Sequence, residues 1–394
     1  MDKSKVYFTS MKTEVGISLL SKLDKLVKAT GIESIDFNGK YTAIKIHFGE
    51  PGNLAYLRPN YAKVLVDLVK DLGGKPFLTD CNTLYVGGRK NALDHLDSAY
   101  TNGFSPFSTG CHIIIADGLK GTDEVLIPVK DGEFVKEAKI GQAIMDADIF
   151  ISLNHFKGHE STGFGGAIKN IGMGCGSRAG KMEQHSAGTP FISARRCVGC
   201  GKCITVCAHD AIRIQERKAQ LNEDRCVGCG RCIGVCPTDA IATKWDESND
   251  ILNKKMAEYT WAVLNGRPHF HVSLVVDVSP NCDCHSENDI PIVPNIGMFA
   301  SFNPVALDMA CADAVNKQIP VAGSILHKNK AKENCGCSCG CDHTQDGHTK
   351  DHTENGHTED HFKMTHPDTD WQVCMEHCVK MGIGTMEYEL IEVK

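Results

Sequence analysis

Tyr41-Thr42-Ala43-Ile44-Lys45-Ile46-His47-Phe48 sets Ile44, Ile46 and Phe48 on one face and Lys45 and His47 on the other, the period-two pattern of a β-strand. Downstream, Pro59 opens a helix whose apolar stripe is Val64, Leu65, Leu68 and Val69, and Gly73-Gly74 closes it. Phe77-Leu78-Thr79 then reads as a second strand. A strand, a helix and a strand in so short a span predict a βα unit with parallel strands and the helix on one face. Outward from this unit, Val6-Tyr7-Phe8 reads as a strand, and Leu19, Leu20, Leu23, Leu26 and Val27 recur with helical period up to Gly31. Residues 112–116, 149–153, 271–278 and 386–393 are further strands. Helices are expected around 261–264, from Phe302-Asn303-Pro304 through Ala310, Cys311 and Ala314, and over 374–380. The expected fold is α/β, a mainly parallel sheet with helices on both faces.

In such sheets ligands sit beyond the carboxyl ends of the strands. His47, Asp80-Cys81, Asp117 and Asn154-His155 each follow a predicted strand, so their side chains should meet in one crevice. The densest polar stretch comes next, from Asn154-His155-Phe156-Lys157-Gly158-His159 through Gly163-Phe164-Gly165-Gly166-Ala167-Ile168-Lys169 to Gly176. Seven glycines between 158 and 176 argue against an ordinary helix or strand and favour backbone amides that approach an anion. The candidate catalytic residues are His155, His159, Lys169, His185 and Asp80: lysine for charge, histidine for a proton near neutral pH. The bland alternative is a glycine-rich linker.

That stretch runs into Cys197-x-x-Cys200-x-x-Cys203-x-x-x-Cys207 and, after an eighteen-residue gap, Cys226-x-x-Cys229-x-x-Cys232-x-x-x-Cys236-Pro237. The halves repeat at an offset of 29 residues, Arg196-Cys-Val-Gly-Cys-Gly-Lys-Cys-Ile against Arg225-Cys-Val-Gly-Cys-Gly-Arg-Cys-Ile. This is the spacing of a bacterial-type ferredoxin, in which three thiolates of one run and the fourth of the other hold one cubane. Cys197, Cys200, Cys203 and Cys236 are therefore expected to hold one [4Fe-4S] cluster, and Cys226, Cys229, Cys232 and Cys207 the other. The alternatives are disulfides or two zinc sites, and zinc, which needs two Cys-x-x-Cys pairs, would leave the duplicated fourth thiols idle. Ala208 stands where Pro237 stands in the second half, a departure that bears on loop rigidity and not on the ligands.

Cys282-x-Cys284-His285 follows a predicted strand, and two thiolates with an imidazole suit an additional soft metal ion. The segment 334–361 is of another kind: Cys335-x-Cys337-x-Cys339-x-Cys341 precedes His-rich nine-residue units with almost no apolar side chains, so a disordered, metal-attracting insertion or a solvated loop is expected. The domain plan is then 1–187 and 246–333 with 362–394 for the α/β domain, and 188–245 for the ferredoxin-like insert.

A net charge of −7 without a basic, aromatic-rich cluster excludes general nucleic-acid binding. No run approaches the ~18 apolar residues of a membrane span, and the start lacks a signal-type apolar core, so a cytoplasmic protein with no membrane partner is expected. Twenty cysteines in such a chain point to clusters and metals in a reducing, anaerobic cell.

At Ile46-His47-Phe48-Gly49-Glu50, Thr79-Asp80, the 154–176 loop and Pro304-Val305-Ala306-Leu307-Asp308, the chain resembles the iron–sulfur members of the family called domain of unknown function 362. That resemblance implies a ferredoxin unit inserted between two halves of an α/β domain. His159, Lys169 and His185, spaced ten and then sixteen apart, also resemble the glycine-rich loop of nickel-pincer lactate racemases. There the lysine carries the cofactor and histidines ligate nickel or move a proton, although Ala167-Ile168 replaces the basic residue expected before the lysine. Three function classes follow: electron transfer between a redox partner protein and a site on the α/β domain, a redox or isomerising enzyme on a small anionic substrate, and a metal-handling protein.

Overall fold

A computed structural model describes residues 3–85, 87–186, 189–335 and 359–394. Its centre is one eight-stranded sheet: β1 (Ser4–Ser10), β2 (Tyr41–Lys45), β3 (Lys75–Asp80), β4 (Ile113–Ile115), β5 (Ile149–His155), β6 (His269–Val275), β7 (Gly297–Ser301) and β8 (Tyr388–Glu392), in the order β8-β1-β7-β6-β5-β2-β3-β4. The run β6-β5-β2-β3-β4 is parallel throughout, and β8 is parallel to β1. Only β7 runs against its neighbours β1 and β6. The α/β expectation holds, and β7, whose five residues carry no helical partner signal, is the strand the sequence pattern did not reveal.

Both faces are covered. Ile44, Leu78, Ile149, Ile151 and Leu153 pack with helices α1 (Leu19–Ala29) and α2 (Pro59–Asp71) on one side. On the other, Ala43, Phe77 and Phe150 meet Tyr259, Ala262 and Val263 of helix α5 (Asn249–Leu264), while Phe299 and Val6 meet α6 (Pro304–Asn316) and α7 (Gln372–Lys380). Every residue of β5 is buried, as a strand covered on two faces requires.

Between β5 and α5 the chain forms α3 (Ala167–Gly172) and α4 (Arg178–His185), then a small unit of cysteine loops. The strand that enters this unit, Pro190–Ile192, pairs antiparallel with the strand that leaves it, Ile241–Thr243, so the chain departs and returns at one place. Within it Ile212–Gln215 pairs with Lys218–Leu221.

The 154–176 stretch corrects an expectation. It holds a hairpin, Lys157–His159 with Gly163–Gly165, and then α3. Its glycines serve close packing: a Cβ on Gly158 would lie 2.2 Å from the Pro280 carbonyl, on Gly166 2.3 Å from the Asp308 carboxylate, and on Gly172 2.1 Å from the Met256 carbonyl. The 334–361 boundary is also corrected at its end. Asp360 caps a helix, His361–Thr365, and takes the Trp371 Nε1–H at 2.8 Å, while His361 is buried. The Cys/His-rich residues 336–358 lie outside the described residues.

Candidate functional site

The carboxyl ends of β2, β3, β5 and β6 open on one cavity of about 690 Å³. Asp80, His155, His159, Lys169, His185, Cys282 and Cys284 all line it. The sequence missed several neighbours: Lys45, Glu50, Arg89, Lys157, Glu160 and Lys181.

Asp80 closes β3 deep in the wall. It takes Lys45 Nζ at 2.9 Å and faces Arg89 Nη1 at 3.5 Å, and Arg89 Nε reaches Glu50 at 2.9 Å. Burial pushes the Asp80 carboxyl up, and the cations and His95 beside it hold it well below the usual range. Lys45 also donates to Asn170 Oδ1 at 2.8 Å, which ties the strand end to α3. Asp80 is thus the anchor of a buried ion network, with Oδ2 facing Arg89 and His95 at 3.5 and 3.7 Å and making no hydrogen bond among the described residues.

His155 lines the cavity but turns both ring nitrogens to the protein: Nδ1 to Asp283 Oδ1 at 2.8 Å and Nε2 to the Val276 carbonyl at 2.8 Å. With both ring nitrogens engaged by the chain, its role is to fix the loop after β6. Lys157 Nζ completes that anchor at 3.1 Å from Asp283. Burial acts against the Asp283 carboxylate, and His155 and Lys157 outweigh it.

His159 Nδ1 accepts the Ser161 and Thr162 amides at 3.0 and 3.2 Å. Lys169 Nζ donates to Cys282 Sγ at 2.9 Å. Burial disfavours the Lys169 ammonium, but Cys282 and Cys284 outweigh burial and keep it charged. His185, on the last turn of α4, packs edge-on to Trp245 at 4.4 Å. Loss of hydration, with His159, Lys169 and Lys181 nearby, pushes its imidazole down to about 3, so it stays neutral. Lys181 Nζ meets the carbonyls of Gly176 at 2.5 Å and Gly174 at 3.3 Å and has no carboxylate partner among the described residues.

The amides expected to cradle an external anion are already engaged. Ala167 N–H and Ile168 N–H, at the start of α3, donate to the two oxygens of Asp308 at 2.7 and 2.9 Å. The chain supplies its own anion there, from α6.

The cysteine unit borders the cavity wall. Leu84, which lines the cavity, joins Met182 of α4 in one apolar cluster with Cys197, Cys203, Cys232 and Ile233. Cys197, Cys200, Cys203 and Cys236 line one small cavity of this unit; Cys207, Cys226, Cys229 and Cys232 line another. Backbone amides of Ala219, Ala211 and Ala240 donate to the sulfurs of Cys197, Cys207 and Cys236 at 3.2, 3.3 and 3.2 Å. Positive φ at Gly199, Gly201, Gly228 and Gly230 turns each loop around its cavity. These residues fit a cubane: four soft donors around each space, with amides on the sulfurs. Among the described residues no three His, Cys, Asp or Glu side chains draw together around a single ion, the cysteine loops as well as Cys282, Cys284 and His285 included. His285 turns instead to Glu160 at 3.0 Å, which raises its imidazole to about 9.

A mainly parallel sheet with a lysine- and histidine-lined cavity at its strand ends defines an α/β protein carrying a cysteine-loop insert. Residues 42–313 match the family described as Domain of unknown function (DUF362), and the chain belongs to that family. No curated protein matches it. Among solved structures, the lactate racemase apoprotein from Thermoanaerobacterium thermosaccharolyticum is 10% identical with a TM-score of 0.33, over 69% of this chain and 51% of that one. A protein from Thermotoga maritima solved by structural genomics is 13% identical with a TM-score of 0.39, over 75% and 58%. The chain spans little more than half the length of either, and neither likeness bears on chemistry. No helix among the described residues is long and apolar enough to cross a membrane.

Proposed function

We propose that this chain binds two [4Fe-4S] clusters and passes electrons between a redox partner protein and a small anion held in the strand-end cavity. Cys197, Cys200, Cys203 and Cys236 would hold one cluster, and Cys226, Cys229, Cys232 and Cys207 the other. The clusters would supply one-electron transfer at low potential. The observation that carries the reading is the crossed division of the eight cysteines between two cavities, three from one run and the last from the other in each. Its link to the α/β domain is Leu84, which lines the cavity and also packs in the apolar cluster of the cysteine unit with Met182.

In the cavity the chain's own groups divide the work. Lys181, unpaired with any described carboxylate, attracts the anion, and Lys169 places a second positive charge beside Cys282. The neutral His185 offers the anion an uncharged ring, and His159, whose Nδ1 accepts two amides, leaves Nε2 to carry the ring N–H as a donor. Val198 and Val227, equivalent positions of the repeat, are 58% and 56% exposed and give a partner an apolar rim beside the first cysteines.

Anaerobically prepared protein should carry about eight iron and eight sulfide per chain. Four or fewer after full reconstitution would sink the two-cluster reading. Cys207→Ser should spoil the site shared with Cys226, Cys229 and Cys232 and leave the other intact, because the fourth ligand crosses over.

A further inference from the structure

Cys282 and Cys284 flank Asp283 in a turn closed by the His285 amide on the Cys282 carbonyl at 3.0 Å. Asp283 points inward to His155 and Lys157, so the turn is pinned from behind while both flanking sulfurs line the cavity. The two thiols stand close enough to shift each other's protonation, and Lys169 Nζ sits 2.9 Å from Cys282 Sγ. We infer that Cys282 and Cys284 are a dithiol–disulfide couple that exchanges with small anionic disulfides entering the cavity, Cys282 attacking and Cys284 resolving. That the disulfide is anionic rests on the anion site proposed above; the couple itself does not.

The two sulfurs are chemically unequal. The contact with Cys284, Lys169, Lys157 and His159 outweigh burial and hold the Cys282 thiol well below its ordinary range, and the same contact with Cys282, together with burial, pushes Cys284 up. Cys81 and Cys311, by contrast, are pushed up by burial and have no ammonium at hydrogen-bond distance. An attacking thiolate beside a protonated partner is what exchange requires.

The step balances without another reagent. The Cys282 thiolate attacks one sulfur of the disulfide, whose S–S bond breaks, giving a mixed disulfide and a free thiolate. That thiolate takes the Cys284 proton. Cys284 then attacks Cys282 Sγ and expels the second half as a thiolate. The protein loses two electrons and the small disulfide gains them.

The test uses full-length, cluster-loaded protein under anaerobic conditions, with peptide mass spectrometry resolving each cysteine. At pH 6.5 an ordinary thiol is about 1% ionised; full ionisation raises thiolate about 100-fold, and lower nucleophilicity returns about half of that logarithm. Cys282 should therefore react with iodoacetamide about tenfold faster than Cys284. Lys169→Met should abolish that advantage, and Lys169→Arg should keep most of it. In a series of dithiothreitol and glutathione redox buffers, Cys282 and Cys284 should pass reversibly from two alkylatable thiols to a species two mass units lighter. A pair that stays reduced in every buffer overturns the inference, as does an unchanged rate in Lys169→Met. Failure of both probes to reach Cys282 counts equally against it, since a closed couple exchanges with nothing. Iron and sulfide measured on the same samples separate the readings: low iron with a working couple removes the clusters and leaves the couple.

Discussion

Asp308 shows how one residue can take a place that the sequence seemed to reserve for a ligand. Its carboxylate, fully buried, receives the first amides of α3. Burial raises its pKa from 3.8 to about 7, against the pull of those two amides. The sign follows from linkage: between those values the folded chain holds a proton that the unfolded chain has lost, so stability from this group is complete below pH ~4 and declines as pH rises to ~7. Asp308→Asn puts an amide donor against one of the two N–H groups and should cost about 1–3 kcal/mol. Because asparagine does not titrate, the gap between wild type and variant should narrow from pH 4 to pH 7 in anaerobic urea unfolding. A gap that stays level would show that Asp308 is a carboxylate throughout. At this scale the sequence was half legible. It pointed to Asp80, His159, Lys169 and His185 at strand ends and in the loop, and all line the cavity. It could not tell that His155 spends both nitrogens on the chain, because Asp283 and Val276 lie more than a hundred residues away.

At the scale of elements, composition misled where tertiary contacts decide. Glycine in a helix interior is unfavourable by about 1 kcal/mol relative to alanine, so α3 looks improbable from its flanks alone. It forms because Gly172 lets α3 lie directly on α5, with Thr260 Oγ1 donating to the Ile168 carbonyl at 3.1 Å. Gly172→Ala tests which effect is larger. The propensity gain is about 1 kcal/mol. A Cβ at 2.1 Å from the Met256 carbonyl must push two backbones apart, and overpacking of this kind costs about 3 kcal/mol or more. The variant should melt lower and lose the contact of α3 with Lys45; a gain in thermal stability would mean that the helices separate without cost. The elements with strong periodicity were legible for the opposite reason. α2 begins at Pro59 and stops before Gly73-Gly74, and Leu65, Leu68 and Val69 are buried, because local signals and packing agree there.

Across the whole molecule the cysteine unit and the α/β domain meet through a buried arginine as well as through the apolar cluster of Leu84 and Met182. Arg178, at the start of α4, has no exposed surface. It donates through Nη2 to the Lys90 carbonyl, and Lys90 pairs with Asp239 of the cysteine unit. Its stem and head fill the space beside two glycines: a Cβ on Gly230 would lie 3.0 Å from Arg178 Cγ, and one on Gly234 2.7 Å from Nη1. Gly230 and Gly234 bracket Cys232, so Arg178 supports the turn that presents one cysteine of the Cys207, Cys226, Cys229, Cys232 set. Sequence reading could find the eight cysteines by spacing, but not this joint, because a lone arginine in a polar helix carries no periodic signal. On the two-cluster reading, Arg178→Ala removes that support, and loss of such an outer contact typically weakens metal retention by about tenfold or more. Iron from that set should then be lost to a chelator about tenfold faster, while the set of Cys197, Cys200, Cys203 and Cys236, which does not touch Arg178, should release iron at the wild-type rate. Arg178→Met, which fills most of the space without the charge, should recover part of the difference if packing is the cause. Equal acceleration at both sets would mean that the variant loosens the whole unit, and no acceleration at either would mean that the turn at Cys232 stands without the arginine.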